Sequence, residues 1–250
     1  MYNNSPYYQI PNELLLRYSL NDQIPIIHNF KDDSKILHSE WSDSFIESFL
    51  DRYTLQNIEN NLEGISTYGH DVCVMLLKTF LKYNIFKKNI AVVGSETPWI
   101  EAMLINLGNT VTTFEYNVPS INSNHLQVRD YFKYFEKNEN EFDVVVTFSS
   151  IEHSGLGRYG DPLDPEGDIN TMNAIYNNLR SDGLLIWGAP IGKDTIVWNL
   201  HRIYGNIRLP LLFEKFNEIE WIGGNKNELV ILDYNNCFQP VVVLSPIQKK

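Results

Sequence analysis

The feature that most restricts the fold is the run Val144, Val145, Val146, Thr147 and Phe148, which is apolar and β-branched and shows no alternation of polar and apolar residues. A run this short is a strand rather than a helix, and the lack of alternation means that both of its faces are buried. Burial on both faces marks a central parallel strand in a sheet covered by helices. Directly after it the composition changes to Ser149, Ser150, Glu152, His153, Ser154, Arg158, Tyr159, Asp161, Asp164 and Asp168, interrupted by four glycines and two prolines. In open α/β sheets ligands bind outside the carboxyl ends of the strands, so a polar, ionisable loop at this place is where a site belongs. The other reading of the loop is a solvated surface turn.

A chain of 250 residues has room for one α/β domain with a large core. Its content of 43% hydrophobic and 20% charged residues is that of a folded globular protein. The formal net charge of −11, with no Lys/Arg cluster beyond the pairs at 87–88 and 249–250, opposes a phosphate backbone, so nucleic acid is not expected as a partner. Cys73 and Cys237 lie far apart and outside any CxxC or Cys/His ligand spacing, which argues against a disulfide framework or a structural zinc site and for a reducing cytoplasm. The start MYNNSPYYQIPNELLL lacks a basic segment followed by a long apolar one, and no later run approaches the length of a membrane span.

The first 35 residues, rich in Asn, Tyr, Pro and Asp, read as an irregular arm with a short helix at 12–18. Phe45, Ile46, Phe49, Leu50 and Tyr53 recur at helical spacing behind Ser42, an N-cap, and a second helix spans 69–82. His28, His38 and His70 have no partners at ligand spacing and are expected in surface or packing roles. Residues 89–94 (NIAVVG) form a strand, 99–107 a helix closed by Gly108, and 109–115 the next strand, a β-α-β unit. Glu115 follows Gly94 by 21 residues. In nucleoside-binding folds a carboxylate about 20 residues beyond the first turn accepts hydrogen bonds from ribose hydroxyls. The turn itself, GSETP, holds one glycine where the dinucleotide fingerprint has three, which argues against a nicotinamide enzyme. Ser95 and Thr97 either cap the helix or contact a ligand, and Asp130 is an N-cap or an adenine-side contact. A short strand at 125–128, a helix from 130, a helix at 168–179 and a strand at 184–188 follow, with Gly183 expected to supply a positive φ. Late strands are expected at 219–222, 229–232 and 241–244, the last pair as a hairpin.

The order of elements, Glu115 ending the second strand, FDVVVTFSSIEH and LRSDGLLIWGAP resemble class I S-adenosylmethionine-dependent methyltransferases. More closely, VVGSETPWIEA, TTFEYN, FSSIEHSGLGRYGDPLDPEGD and GAPIGKDTIVWNLHRIYGNIRLPLLF resemble the family catalogued as domain of unknown function two-six-eight. The resemblance implies a Rossmann-like, doubly wound, mostly parallel α/β sheet over residues 86–250, with residues 1–85 an arm and helices packing on it. It also implies S-adenosylmethionine as cofactor: Gly94, Ser95 and Glu96 along the methionine part, Glu115 at the ribose, Asn117 and Asp130 on the adenine side, and Ser149, Ser150 and Ile151 at the sulfonium.

Methyl transfer to a hydroxyl needs an aligned acceptor and a base. His153 is the leading base, with Glu152 and Asp161 as alternatives; each also has a purely structural reading. Arg158 and Tyr159 bind a polar or anionic acceptor, or Arg158 only pairs with Asp161 or Asp164 to hold the loop. His201, Arg202 and Lys193 close over the acceptor or lie on an exposed helix face. Asp161, Asp164 and Asp168 hold a divalent cation or, the favoured reading, form a rigid turn in which Asp168 caps a helix, so no metal is expected. The expected activity is methylation of a small polar acceptor such as a sugar or glycan hydroxyl, the alternative being a catalytically silent fold that binds a metabolite or protein partner.

Overall fold

The structure, a computed structural model, describes residues 6–35, 40–61, 68–136 and 142–247; His38, Lys249 and Lys250 lie outside them. The chain opens with α1 (Asn12–Tyr18), β1 (Ile26–Asn29), β2 (Trp41–Ser42), α2 (Asp43–Arg52), α3 (Leu55–Glu59) and α4 (His70–Lys82). Ser42 caps α2 as its sequence position predicts, its Oγ accepting from Phe45 N at 3.3 Å. Next come β3 (Asn89–Val93), α5 (Trp99–Asn106), β4 (Thr110–Glu115), β5 (Ile121–Asn122), β6 (Gln127–Asp130) and α6 (Tyr131–Tyr134). The remainder is β7 (Phe142–Phe148), a 3-10 turn Ile151–His153, α7 (Gly167–Asn178), β8 (Leu179–Gly188), β9 (Thr195–Asn199), β10 (His201–Ile203), α8 (Leu209–Leu212), β11 (Phe216–Ile222), α9 (Glu228–Ile231) and β12 (Val241–Pro246).

The main sheet has seven strands in the order β11-β12-β8-β7-β3-β4-β6. From β8 to β6 every pairing is parallel, while β12 and β11 run antiparallel at the far edge. The unbroken apolar run of β7 has a direct cause. Val144 and Val146 enter a core with Ile90, Val92 and the apolar faces of α2, α4 and α5, and Val145 enters a second core with Ala91, Val93 and α7. The early helices therefore share their core with the sheet. Connections leave β3 toward β4 and β7 toward β8, in opposite directions, so the carboxyl ends of β3 and β7 meet at a topological switch point.

Several expectations from sequence need correction. The arm is not wholly irregular, because β1 pairs in parallel with β9, which β10 joins to make a three-stranded sheet over its own small core of Leu14, Tyr18, Ile24, Leu156, Leu163, Ile196 and Trp198. His201 and Arg202 accordingly belong to a strand and not to an exposed helix face. Residues 228–231 are helical; a four-residue apolar run does not by itself separate strand from helix, and here the antiparallel partners of β12 are β11 and β8. Gly183 does not have a positive φ. It is small for another reason: a Cβ there would press on Asp143 O, Leu179 Cδ2 and Arg180 O at 2.9 to 3.1 Å.

Asp168 neither caps α7 nor faces a cation site. Its buried carboxylate receives Arg208 Nε at 2.8 Å and Nη2 at 2.5 Å and the Tyr204 hydroxyl at 3.1 Å, with Arg202 Nε at 3.6 Å. Burial pushes the Asp168 carboxyl up, but Arg202 and Arg208 outweigh it and hold the group below its ordinary value. Both guanidinium groups also bind main chain, Arg202 donating to Ser154 O at 2.6 Å and Arg208 to Pro165 O at 2.6 Å. Replacing Asp168 with Asn leaves two buried cations under-compensated, and the expected loss is about 3 to 5 kcal/mol in urea unfolding. An unchanged midpoint would show that the cluster is not needed for the fold.

Candidate functional site

A cavity of about 450 Å³ opens at the carboxyl ends of β3, β4 and β7, the switch point where a site was expected, and its size is that of a small-molecule pocket. One end is built by the turn after β3. Gly94 has φ +79°, and a Cβ on it would overlap the side chain of Ser150, so the two loops approach each other closely through this one glycine. Glu115 ends β4 with its carboxylate on the cavity wall, accepting from Ser95 N and, at 3.1 Å, from Tyr116 N. Burial raises its pKa to about 8, and Glu101 and Glu96 add to the rise. Behind it, fully buried Glu101 takes the Thr113 hydroxyl at 2.8 Å and lies 3.1 Å from Ser95 Oγ; burial lifts it to about 7.

The other end is built on Ser149, which closes β7 with φ +53°, a left-handed conformation uncommon for a residue with a Cβ. Its hydroxyl accepts from Gln239 Nε2 at 3.2 Å and donates to Glu152 Oε1 at 3.1 Å. Glu152 is buried, its second oxygen has no hydrogen-bond partner among the described residues, and burial raises its pKa to about 7. His153 Nδ1 lies 2.6 Å from Leu200 O, and because a carbonyl only accepts, Nδ1 carries the proton and Nε2 keeps its lone pair, 3.7 Å from Glu152 Oε1. Burial and Arg158 push His153 down to about 3, and the same two causes bring His201 to about 4, so both rings are neutral near pH 7.

Arg158 lines the cavity but does not pair with Asp161 or Asp164. Its partner is Asp33 of the arm, at 2.7 Å, and its guanidinium carbon stands 4.7 Å from the centre of the Tyr159 ring. Burial pushes Asp33 up, but Arg158 and Lys31 hold it below its ordinary value.

Of the residues singled out from sequence, Gly94, Ser95, Glu96, Glu115, Asn117, Ser149, Ser150, Glu152, His153, Arg158, Tyr159 and His201 line this one cavity. Asp130, Ile151, Asp161, Lys193 and Arg202 do not. Asp130 caps α6 by accepting from Lys133 N at 2.9 Å. Ile151 is buried in the second core. Asp161 folds the loop on itself, accepting from Gly155 N at 2.8 Å and Gly157 N at 3.1 Å. Ser95 does not cap α5; its hydroxyl turns to Thr97 O and Glu101. Among the described residues, no group of three or more His, Cys, Asp or Glu could hold a metal ion, and no helix is long and apolar enough to cross a membrane. Tyr68, Tyr116, Phe238 and Gln239 line the cavity without having been singled out. Gln239 had a signal: it immediately precedes Pro240 and the apolar run of β12, and the start of an antiparallel strand lies beside the carboxyl ends of its parallel neighbours.

This architecture, with its cavity at the switch point, is the fold of class I S-adenosylmethionine-dependent methyltransferases. It matches the 1,6-didemethyltoxoflavin-N1-methyltransferase of Burkholderia thailandensis, solved with 1,6-didemethyltoxoflavin and S-adenosylhomocysteine, with a TM-score of 0.54 at 12% identity over 81% of this chain and 89% of that one. It also matches the N-methyltransferase NodS of Bradyrhizobium japonicum bound to S-adenosylhomocysteine, TM-score 0.51 at 12% identity over 82% and 100% of the two chains. The PH0226 protein of Pyrococcus horikoshii matches with a TM-score of 0.50 at 14% identity, over 78% and 95%. Residues 87–239 fit the family described as "Caenorhabditis protein of unknown function, DUF268", and the chain belongs to that family. No curated protein matches the sequence.

The buried carboxylates give the fold a definite pH dependence. Glu101, Glu115 and Glu152 have folded values of about 7, 8 and 7 against an ordinary 4.5, so between those limits the folded state holds more protons and stability falls as pH rises. His153 and His201 act oppositely, but only below their ordinary value of 6.5. The melting temperature should therefore fall most steeply between about pH 6.5 and 8. Glu101→Gln keeps a neutral side chain of the same shape and should be the more stable protein at pH 8. Each unit of upward shift removed is worth about 1.4 kcal/mol, and parallel melting curves at pH 5 and pH 8 would count against the buried-charge account.

Proposed function

We propose that the protein is an S-adenosylmethionine-dependent methyltransferase acting on a small polar acceptor, with a sugar or glycan hydroxyl as the group modified. The observation that carries the reading is one cavity with a strand-end carboxylate, Glu115, at one end and, at the other, a buried carboxylate oxygen of Glu152 that has no hydrogen-bond partner among the described residues. When bound, the cofactor supplies an electrophilic methyl group on a sulfonium. Glu115 would accept from the ribose hydroxyls, Gly94, Ser95 and Glu96 would border the methionine part, Asn117 the adenine side, and Ser149 and Ser150 the sulfonium. These residues all line the cavity. Asp130 and Ile151 take no direct part.

The base assignment moves from His153 to Glu152. A general base works best with a pKa near the working pH, and Glu152 at about 7 meets that condition while His153 at about 3 is a very weak base. Glu152 Oε2 would take the proton of the acceptor hydroxyl, to which the bound cofactor would supply the methyl group. His153, neutral with Nε2 as an acceptor, and Arg158 orient the acceptor.

One observation favours the second reading, a silent fold that binds a metabolite or protein partner. Both Glu115 oxygens already accept a backbone N–H, and the GSETP turn has a single glycine. Calorimetry with S-adenosylhomocysteine separates the two. Binding is expected, and Glu115→Ala should weaken it tenfold or more, about 1.4 kcal/mol, with the melting curve retained. No binding of either S-adenosylmethionine or S-adenosylhomocysteine at millimolar concentration would end the methyltransferase reading, and unchanged affinity in Glu115→Ala would remove the ribose assignment. With an acceptor in hand, kcat/KM should rise with pH to a plateau above about 7, the side on which Glu152 is ionised. Glu152→Gln should lower turnover by roughly 10² to 10⁴-fold with cofactor affinity unchanged; normal turnover would exclude Glu152 as the base.

A further inference from the structure

We infer that Glu152, His201 and Gln239 form a subsite for a neutral acceptor that presents adjacent hydroxyl groups, an inference that rests on the methyltransferase reading above. Three buried polar atoms, Glu152 Oε2, His201 Nε2 and Gln239 Oε1, have no hydrogen-bond partner among the described residues, and all three residues line the cavity. Buried polar groups are almost always partnered, so three open valences in one pocket are valences for a ligand. Their chemistry selects it. Gln239 donates its amide nitrogen to Ser149, which leaves its carbonyl oxygen needing a donor. Glu152 spends Oε1 on the same Ser149 hydroxyl, so Oε2 either accepts as a carboxylate or donates as an acid. His201 is neutral and does one or the other according to its tautomer.

A hydroxyl group both donates and accepts and satisfies all three. Ser149 bridges Gln239 and Glu152 through bonds of 3.2 and 3.1 Å, so the two side chains that carry the free oxygens belong to one short hydrogen-bonded chain and suit neighbouring hydroxyls on one carbon frame. Charge narrows the class further. Arg158, which lines the same cavity, is already matched by Asp33 at 2.7 Å, so the pair offers a charged ligand of either sign no free counter-charge.

The test uses the full chain, titrated by calorimetry first with S-adenosylhomocysteine and then, in the saturated complex, with methyl α-D-mannopyranoside, myo-inositol, D-glucuronate and D-glucosamine. At least one of the two neutral polyols should bind, and both charged probes should bind at least about tenfold more weakly. Gln239→Leu and His201→Phe should each weaken the neutral probe about tenfold while S-adenosylhomocysteine affinity stays within about twofold. If either variant melts lower than the parent, Gln239→Met or His201→Gln takes its place. The subsite is overturned if a charged probe binds as tightly as the neutral ones, if neither polyol binds at about 100 mM, or if the variants bind polyol like the parent. Failure of the first titration alone counts against the cofactor, and the polyol titration is then read on the free protein.

Discussion

The site depends on a carboxylate that never reaches solvent. Asp168, at the start of α7, faces Arg208 from the residue before α8 and Arg202 from β10, and through them α7, the small sheet and the loop after β7 are tied into one body. Removing ions from water is costly, and a buried pair repays that cost only when the remaining donors are also matched. Here they largely are, by Tyr204 on the carboxylate and by the carbonyl oxygens of Ser154 and Pro165 on the guanidinium groups. The polar loop from 149 to 168 is thus held along its length by fixed charges. Tyr18 of the arm adds a hydrogen bond to Gly155 O at 2.5 Å. The backbone of the cavity wall is thus hydrogen-bonded from behind.

Burial also sets the protonation states around the cavity. It favours the neutral form of a carboxylate and of an imidazole, so Glu101, Glu115 and Glu152 titrate high and His153 and His201 low. Asp33 of the arm is the counter-charge beside Arg158. That pairing gives the arm a part in the site, since residue 33 lies well before the stretch 87–239 that matches the family.

Matches at 12 to 14% identity with TM-scores from 0.50 to 0.54 show a shared architecture and leave the chemistry to the loops. The strands, their order and the switch point are common property of the fold. The Ser149, Glu152, Gln239 chain and the Arg158–Asp33 pair are built on connections and on the arm.

The sequence alone determined the central strand, the β-α-β unit that ends at Glu115, the capped helix after Ser42 and the loop that carries the site. Each of these is local: an apolar run buried on two faces, a helical repeat or a capping side chain leaves its mark within a few residues. Even so, the polar loop named candidates without ranking them. Asp161, Asp168 and Arg202 have the same residue types as Glu152 and Arg158, yet the first group is turned inward to hold the backbone and the second lines the cavity. Only the tertiary structure decided that, because which partner a charged side chain meets depends on residues far away in the chain: Asp33 is 125 positions from Arg158, Gln239 is 90 from Ser149, and Asp168 is 40 from Arg208. The protonation states were likewise out of reach of sequence, since they follow from how much water the folded wall excludes, a property of packing that no single stretch of sequence encodes.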